Sequence, residues 1–194
     1  MSTRGYRLGR RQTEIDRTRS GILAAARQLV AEFGPECSVG KMAERAGVSR
    51  ITIYNQFGSK AKLLEALAAE LAPSRGEPGD GVGADPSDEF RRRLERASAA
   101  WAADPDLHRQ LQRHLRGHLD ESALDRTLAE RLAASDRLRP GCSIKEAEDV
   151  IAILASFPVF DRLHKGGRRS PSAVAEILIR MASGFTAQRF ALYD

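Results

Sequence analysis

Cysteine, aromatic side chains and long apolar runs are all scarce in this chain of 194 residues. Its two cysteines, Cys37 and Cys142, are too few for a disulfide framework and lack the spacing of metal ligands, which predicts a reducing compartment. No apolar run approaches the roughly 20 residues of a membrane-spanning helix, and no apolar segment follows the basic N-terminus as in a secretory signal. We therefore expect a cytoplasmic protein with no membrane partner.

The residue patterns of common catalytic sites are missing as well. The sequence has no Ser/His/Asp or Cys/His arrangement, no glycine-rich phosphate loop and no paired carboxylates beside a base. These absences argue against an all-helical enzyme. We assign no catalytic residue, no metal ligand and no cofactor from the sequence.

Charge is distributed unevenly along the chain. Residues 1–62 contain 12 Lys or Arg and 5 Asp or Glu, a net charge of +7, so the remainder of a chain with net charge +5 carries −2. A basic first third attached to a mildly acidic remainder indicates a segment that binds a polyanion such as nucleic acid. The excess of arginine over lysine is typical of a GC-rich bacterial genome.

Apolar residues recur at helical spacings of three, four and seven, and no alternating strand pattern occurs. The sequence therefore predicts an all-α protein of about nine helices. The first helix is expected from about Thr13 to a stop at Gly34-Pro35, after a flexible basic arm at residues 1–11. A long helix opened by Ser143 is expected to continue to about Leu163 with a kink at Pro158.

The stretch from Pro73 to Pro86 is rich in glycine and proline and has no apolar pattern, which is typical of a linker or mobile loop. It predicts two domains. The first, residues 1–72, includes the basic arm, and the second, residues 73–194, is helical.

The segment from Ser38 to Lys60 predicts two short helices joined by a tight turn around Gly47. Ser49 is expected to cap the second helix, which carries basic, hydroxyl and amide side chains at Arg50, Thr52, Tyr54, Asn55 and Gln56. Such side chains hold phosphates and read base edges in a DNA major groove. A purely structural helix pair with a solvated polar face is the alternative.

Residues throughout this region resemble the N-terminal domain of TetR-type transcriptional regulators. The matching positions are Ile22-Leu23, Ala25-Ala26, Gly34, Met42-Ala43, Ala46-Gly47-Val48-Ser49, Thr52-Ile53-Tyr54, Phe57 and Ser59-Lys60. The resemblance covers about residues 15–70. It implies a helix-turn-helix DNA-binding domain at residues 1–72, followed at residues 73–194 by a helical domain that binds a small-molecule effector and dimerises through its two C-terminal helices.

The function implied by the resemblance is that of a ligand-responsive repressor. A homodimer would bind a palindromic operator and release it when a small molecule binds. The alternative is a constitutive or architectural DNA-binding dimer without an effector.

Position by position, the resemblance assigns a base contact to Arg50 and phosphate contacts to Thr52, Tyr54 and Lys60. The full set of expected DNA-binding residues is Ser38, Lys41, Ser49, Arg50, Thr52, Tyr54, Asn55, Gln56 and Lys60. Two positions depart from the family pattern. Gly40 stands where a basic phosphate-binding residue is frequent, with Lys41 beside it, and Val30 stands where a phenylalanine is common, with Phe33 expected to fill that space.

Apolar and imidazole side chains of the second half are candidates for lining an effector cavity. They are Trp101, His108, His114, Phe157, Phe160 and Met181. Apolar residues at helical spacing are more often core than pocket, so core packing is the alternative. A kinked helix at Pro158 would favour a cavity, because it packs imperfectly against its neighbours.

Two further features leave alternatives open. His114 and His118 have the four-residue spacing that can hold a transition metal, but Arg113 and Arg116 repel a cation, so surface or core histidines are favoured. The arginines of the N-terminal arm could lie in a minor groove or form a solvated tail. They are Arg4, Arg7, Arg10 and Arg11.

Overall fold

The computed structural model describes residues 4–73, 85–114 and 122–187, with side chains from residue 12 in the first range and residue 125 in the third. These residues form ten helices, which confirms the all-α prediction and adds one helix to the expected nine. The helices are α1 (Arg4–Phe33), α2 (Val39–Ala46), α3 (Arg50–Phe57), α4 (Lys60–Leu71), α5 (Pro86–Ala103), α6 (Pro105–His114), α7 (Ser122–Ala134), α8 (Ile144–Leu154), α9 (Phe157–Gly167) and α10 (Pro171–Ala182). None of them is long and apolar enough to cross a membrane.

The chain packs as two compact units. The head unit comprises Met1–Leu71 and Asp106–Leu119, and the body unit comprises Ala72–Pro105 and Asp120–Asp194. Helix α6 thus belongs almost entirely to the head, although it follows a body helix in sequence. The prediction of functional domains at 1–72 and 73–194 does not include the packing of α6 in the head, and it remains a prediction.

The head core lies under one apolar stripe of α1. Ile22, Ala26 and Leu29 on that stripe are buried together with residues of α2, α3 and α4, and Leu107 and Leu111 of α6 join the same cluster. Spacings of three and four place these α1 residues on one helical face, so a single helix can cover three short ones.

Helix α1 begins at Arg4, which corrects the expected start near Thr13. The segment before Thr13 lacks apolar periodicity, but extending an existing helix costs far less than nucleating a new one, and arginine and leucine have good helix propensity. The side chains of residues 1–11 lie outside the described part, so the minor-groove role of the arginines stays a prediction.

The body core is formed by α5, α7, α8, α9 and α10. Rings of Trp101 and Phe157 meet edge to face with centroids 5.5 Å apart, and the indole Nε1 donates a hydrogen bond of 3.1 Å to the carbonyl of Ala155. An isolated antiparallel bridge between Leu138 and Thr186 joins the segments that follow α7 and α10.

The expected long helix with a kink at Pro158 is wrong. Helix α8 ends at Leu154, and α9 starts afresh after Ser156, so that Pro158 is its second residue. Proline is well tolerated there because the backbone N–H groups of a first helical turn have no partner within the helix. Helix α9 then continues to Gly167, beyond the expected end near Leu163.

Candidate nucleic-acid interface

The turn between α2 and α3 is built by local hydrogen bonds. Ser38 caps α2 by accepting from the N–H of Lys41 at 3.3 Å. Gly47 has φ of 65°, and its N–H is directed at the carbonyls of Ala43 and Glu44 at the end of α2. This left-handed conformation favours glycine and lets the second helix leave at a steep angle.

Helix α3 has one buried and one exposed face. Ile53 and Phe57 point into the head core, whereas Arg50, Tyr54 and Asn55 are exposed. The outward face therefore carries a guanidinium, a phenol and an amide within little more than one helical turn. These are groups that bind phosphates and base edges.

The two isoleucines of α3 lie in different environments. Ile53 is fully buried, and Ile51 is 70% exposed. A large apolar side chain so fully exposed on a polar helix face has no packing role in the head. Its exposure makes Ile51 a further candidate for the interface, which its apolar character alone does not reveal.

Two hydroxyl groups meet at the start of α3. Ser49 Oγ accepts a hydrogen bond of 3.1 Å from the N–H of Thr52, and the two side-chain oxygens are 2.9 Å apart. The serine cap thus fixes where α3 begins and orients Thr52.

The end of α3 leads directly into α4. Gly58 has φ of 78°, and its N–H donates to the carbonyl of Tyr54 at 2.7 Å. Ser59 Oγ accepts from the N–H of Lys62 at 3.1 Å, which places Lys60 in the first turn of α4. A lysine near a helix N-terminus suits an anion such as phosphate.

Arg19 of α1 holds the C-terminal end of α3. Its Nη1 donates to the carbonyl of Gln56 at 3.2 Å, and its guanidinium carbon lies 4.3 Å from the ring centroid of Phe57. A cation over an aromatic face and a bond to a helix carbonyl both stabilise this position. The contact joins residues 37 apart, so no local sequence signal reveals it.

Lys41 lies beside α1. Its Nζ is 5.0 Å from the ring centroid of Phe33, which is 53% exposed. The expectation that Phe33 fills the space next to Val30 is therefore wrong: Val30 is fully buried, and the phenylalanine faces outward beneath the lysine.

The candidate effector residues separate into three environments. Trp101, Phe157 and Phe160 pack together in the body core. His108 is buried and His114 partly exposed on α6 in the head, and Met181 of the body is 53% exposed. The structure brings together only the three aromatic residues, and their assignment to an effector site remains a prediction.

His114 Nδ1 lies 3.5 Å from a carboxylate oxygen of Glu36, and His118 is outside the described residues. Within the described ranges, no group of three or more His, Cys, Asp or Glu side chains is arranged to hold a metal ion.

Each unit contains an open cavity. One of about 530 Å³ in the body lies between α5 and α10, lined by residues including Glu95, Ala99 and Ile179. Another of about 500 Å³ in the head lies between the end of α1 and α6 and includes His114. Neither cavity is lined by the three clustered aromatic residues.

A polar helix presented by a tight glycine turn on a small helical core is the arrangement of a helix-turn-helix domain. Residues 22–67 match the model of the family described as bacterial regulatory proteins, tetR family, and this confirms the resemblance drawn from individual residues. No protein with a curated description matches the sequence.

Several solved structures share the fold over most of the chain. NalD, the secondary repressor of the MexAB-OprM multidrug efflux pump in Pseudomonas aeruginosa, has 21% identity and a TM-score of 0.68, covering 91% of this chain and 99% of its own. TylP, a tetR regulator from Streptomyces fradiae, has 20% identity and a TM-score of 0.60, covering 91% and 83%.

A third structure describes the molecular basis for control of antibiotic production by bacterial hormones. It has 24% identity and a TM-score of 0.61, covering 88% of this chain and 98% of that chain. Identities this low show a common fold.

Proposed function

We propose that this protein is a ligand-responsive transcriptional repressor that binds a palindromic operator as a homodimer. The observation that carries the proposal is the exposed face of α3, whose polar side chains have no place in the head core, within a segment that matches the tetR family. Such a repressor acts in the bacterial cytoplasm, where the chromosome lies.

In this proposal α3 enters the major groove. Arg50 reads a base edge, and Asn55 and Gln56 contact bases or backbone. Phosphates are held from Ser38 and Lys41 on one side and from Ser49, Thr52, Tyr54 and Lys60 on the other. Ile51 adds a contact that polar groups cannot make, because an exposed apolar side chain in the major groove suits the methyl group of thymine.

Dimerisation places two heads on one operator. Two recognition helices about 34 Å apart reach successive half-sites on one face of the duplex, so an inverted repeat matches a twofold-symmetric dimer. We assign the dimer contact to the two predicted C-terminal helices, which the structure divides into α8, α9 and α10. The exposed Met181 on α10 supports this assignment, since an apolar side chain there can be covered by a second copy.

The body unit is assigned the effector. NalD is a repressor of a multidrug efflux pump. A second structure of this fold concerns the control of antibiotic production by bacterial hormones. Both support a small molecule as the signal. Changing occupancy from 99:1 to 1:99 requires the effector to discriminate between two conformers by about 5.5 kcal/mol.

A constitutive DNA-binding dimer is the second candidate, and one observation favours it. Trp101, Phe157 and Phe160, which were expected to line a cavity, are at most 4% exposed and pack against one another. A screen of compounds against the operator complex separates the two candidates, because a constitutive dimer releases DNA in response to none of them.

DNA recognition is tested by selecting duplexes from a randomised library with purified wild-type protein. Arg50→Ala is expected to relax preference at one base position per half-site by about 1–3 kcal/mol. Lys60→Ala is expected to weaken all duplexes alike and to reduce the salt slope by about one per half-site. Failure of the wild-type protein to enrich any duplex at low salt would refute the proposal.

A further inference from the structure

The side chain of Arg50 lies across the backbone of Gly40. A Cβ atom added at Gly40 would lie 2.8 Å from Nη2, 3.1 Å from Nε and 3.2 Å from Cζ of Arg50. Three guanidinium atoms therefore occupy the space that a side chain at position 40 would need. The contact joins the first turn of α2 to the first turn of α3.

This packing leaves the donors of Arg50 available. Among the described residues, no hydrogen bond or ion pair holds its guanidinium. An arginine that is held by van der Waals contact alone keeps all its N–H groups for a partner. Restricting such a side chain before binding also lowers the entropy lost when it binds.

We propose that Gly40 is a specificity-determining position. Because glycine has no side chain, the Arg50 guanidinium can lie against the backbone of α2, and this is the position from which it reads a base. Gly40 acts through Arg50 and is a positioning residue. The inference rests on the proposed DNA binding and deepens it. It also accounts for the glycine at a position where the resemblance leads one to expect a basic residue, since any side chain there would displace the arginine.

The alternative is that Gly40 serves the backbone of α2. Gly40 does not have a positive φ, so no left-handed conformation requires glycine, and the atoms nearest the added Cβ belong to the far end of a flexible side chain. Gly40→Ala is therefore expected to fold, with a melting temperature equal to or above that of the wild type, because alanine is the better helix former.

The test applies library selection to the full chain carrying Gly40→Ala, Arg50→Ala or both changes. Gly21→Ala is the matched control, because Gly21 is also within a helix and an added Cβ there would meet nothing within 4 Å. A bidentate arginine contact gives about 5- to 150-fold preference for one base. We expect Gly40→Ala to lose most of that preference at the position that Arg50→Ala affects, the double variant to match Arg50→Ala, and Gly21→Ala to match the wild type.

A second readout is the NMR signal of the Arg50 Nε–H group in the free protein, which should shift in Gly40→Ala and not in Gly21→Ala. The inference is overturned, with DNA binding intact, if Gly40→Ala keeps the wild-type preference or changes only positions that Arg50→Ala leaves unaltered. If the wild-type protein enriches no duplex, the proposed function fails and this inference fails with it.

Discussion

The head unit exposes polar side chains on α3, whereas the body unit buries a pair of charged side chains. In the head, Arg50 and Tyr54 face outward from α3 around an apolar core. In the body, Arg93 of α5 and Asp125 of α7 form an ion pair whose side chains are 8% and 0% exposed. The family model matches residues 22–67, all of them within the head.

This difference shows two kinds of constraint on a helical protein. An outward-facing set of donors must fit the shape of an external partner, so its spacing along the chain is restricted and can be recognised. A buried ion pair must satisfy only its own neighbours, and many other pairs or apolar residues could fill the same space. The difference can be tested by comparing substitutions at buried positions with substitutions at exposed positions.

The largest effect is expected from breaking the buried ion pair of the body. Asp125→Ala removes the buried carboxylate that pairs with the Arg93 guanidinium, which should lower the free energy of unfolding by about 3–5 kcal/mol. Urea denaturation followed by circular dichroism measures this. The matched control is Glu130→Ala, which removes the exposed partner of Arg126 and should cost far less, because solvent screens an exposed pair. Equal costs for both variants would contradict a buried, energetically important pair.

The two isoleucines of α3 separate stability from recognition within the head. Ile53→Ala leaves a cavity and should destabilise the protein by about 2–5 kcal/mol. Ile51→Ala should stay within about 0.5 kcal/mol of the wild type, because the side chain is exposed, while reducing preference for thymine in the selected duplexes. If Ile51→Ala keeps the wild-type base preference, its assignment to the interface is wrong.

Serine caps test whether the same local bond has different consequences in the two units. Ser49 caps α3 and Ser143 caps α8, each accepting a backbone N–H at 3.1 Å. Replacement by alanine should cost about 1 kcal/mol at either site, but only Ser49→Ala should weaken DNA binding. Ser156 at the start of α9 makes no side-chain cap bond and instead donates to the carbonyl of Ile153 at 2.7 Å, so Ser156→Ala shows the effect of losing a serine hydrogen bond that is not a cap. If Ser143→Ala weakened DNA binding as much as Ser49→Ala, the two caps would not differ in their effect on DNA binding.

The smallest effect is a pH dependence at the start of α5. A hydrogen bond from the N–H of Ser87, supported by Arg137, lowers the pKa of Asp85 below its ordinary 3.8. A lowered pKa means that the carboxylate stabilises the fold fully above pH 3.8 and loses this contribution as pH falls through the folded-state pKa. Because the pair is partly exposed, the contribution is that of a surface ion pair, about 0–1 kcal/mol.

Asp85→Asn isolates this contribution. The difference in unfolding free energy between wild type and variant should be largest near neutral pH and shrink below pH 3.8. A difference that grows on acidification would contradict the sign of the shift.

Sequence reasoning succeeded where the determining interactions are short in range. The caps at Ser49 and Ser143 and the stop at Gly34 involve atoms within a few residues, so residue type and spacing predict them. Residue type also predicts that Arg50 and Asn55 of α3 are exposed, because charged and amide side chains are seldom buried.

The errors arose where a pattern permits two local structures. Proline at position 158 is compatible with a kink or with a new first turn, and packing around Phe157 and Phe160 in the body core accompanies the second. Phe33 was expected inside because it continues the three- and four-residue spacing of the buried stripe, yet it is the last residue of α1 and is 53% exposed.

The sequence by itself determined the all-helical class, the helix-turn-helix segment and the identity of its caps, since hydrophobic period and short-range hydrogen bonds are written in neighbouring residues. Only the tertiary structure decided that Arg19 holds the end of α3, that Arg50 rests on Gly40, and that Arg93 meets Asp125. Each of these contacts joins residues of two different helices. The sequence around either residue does not indicate which side chains will meet once the helices pack.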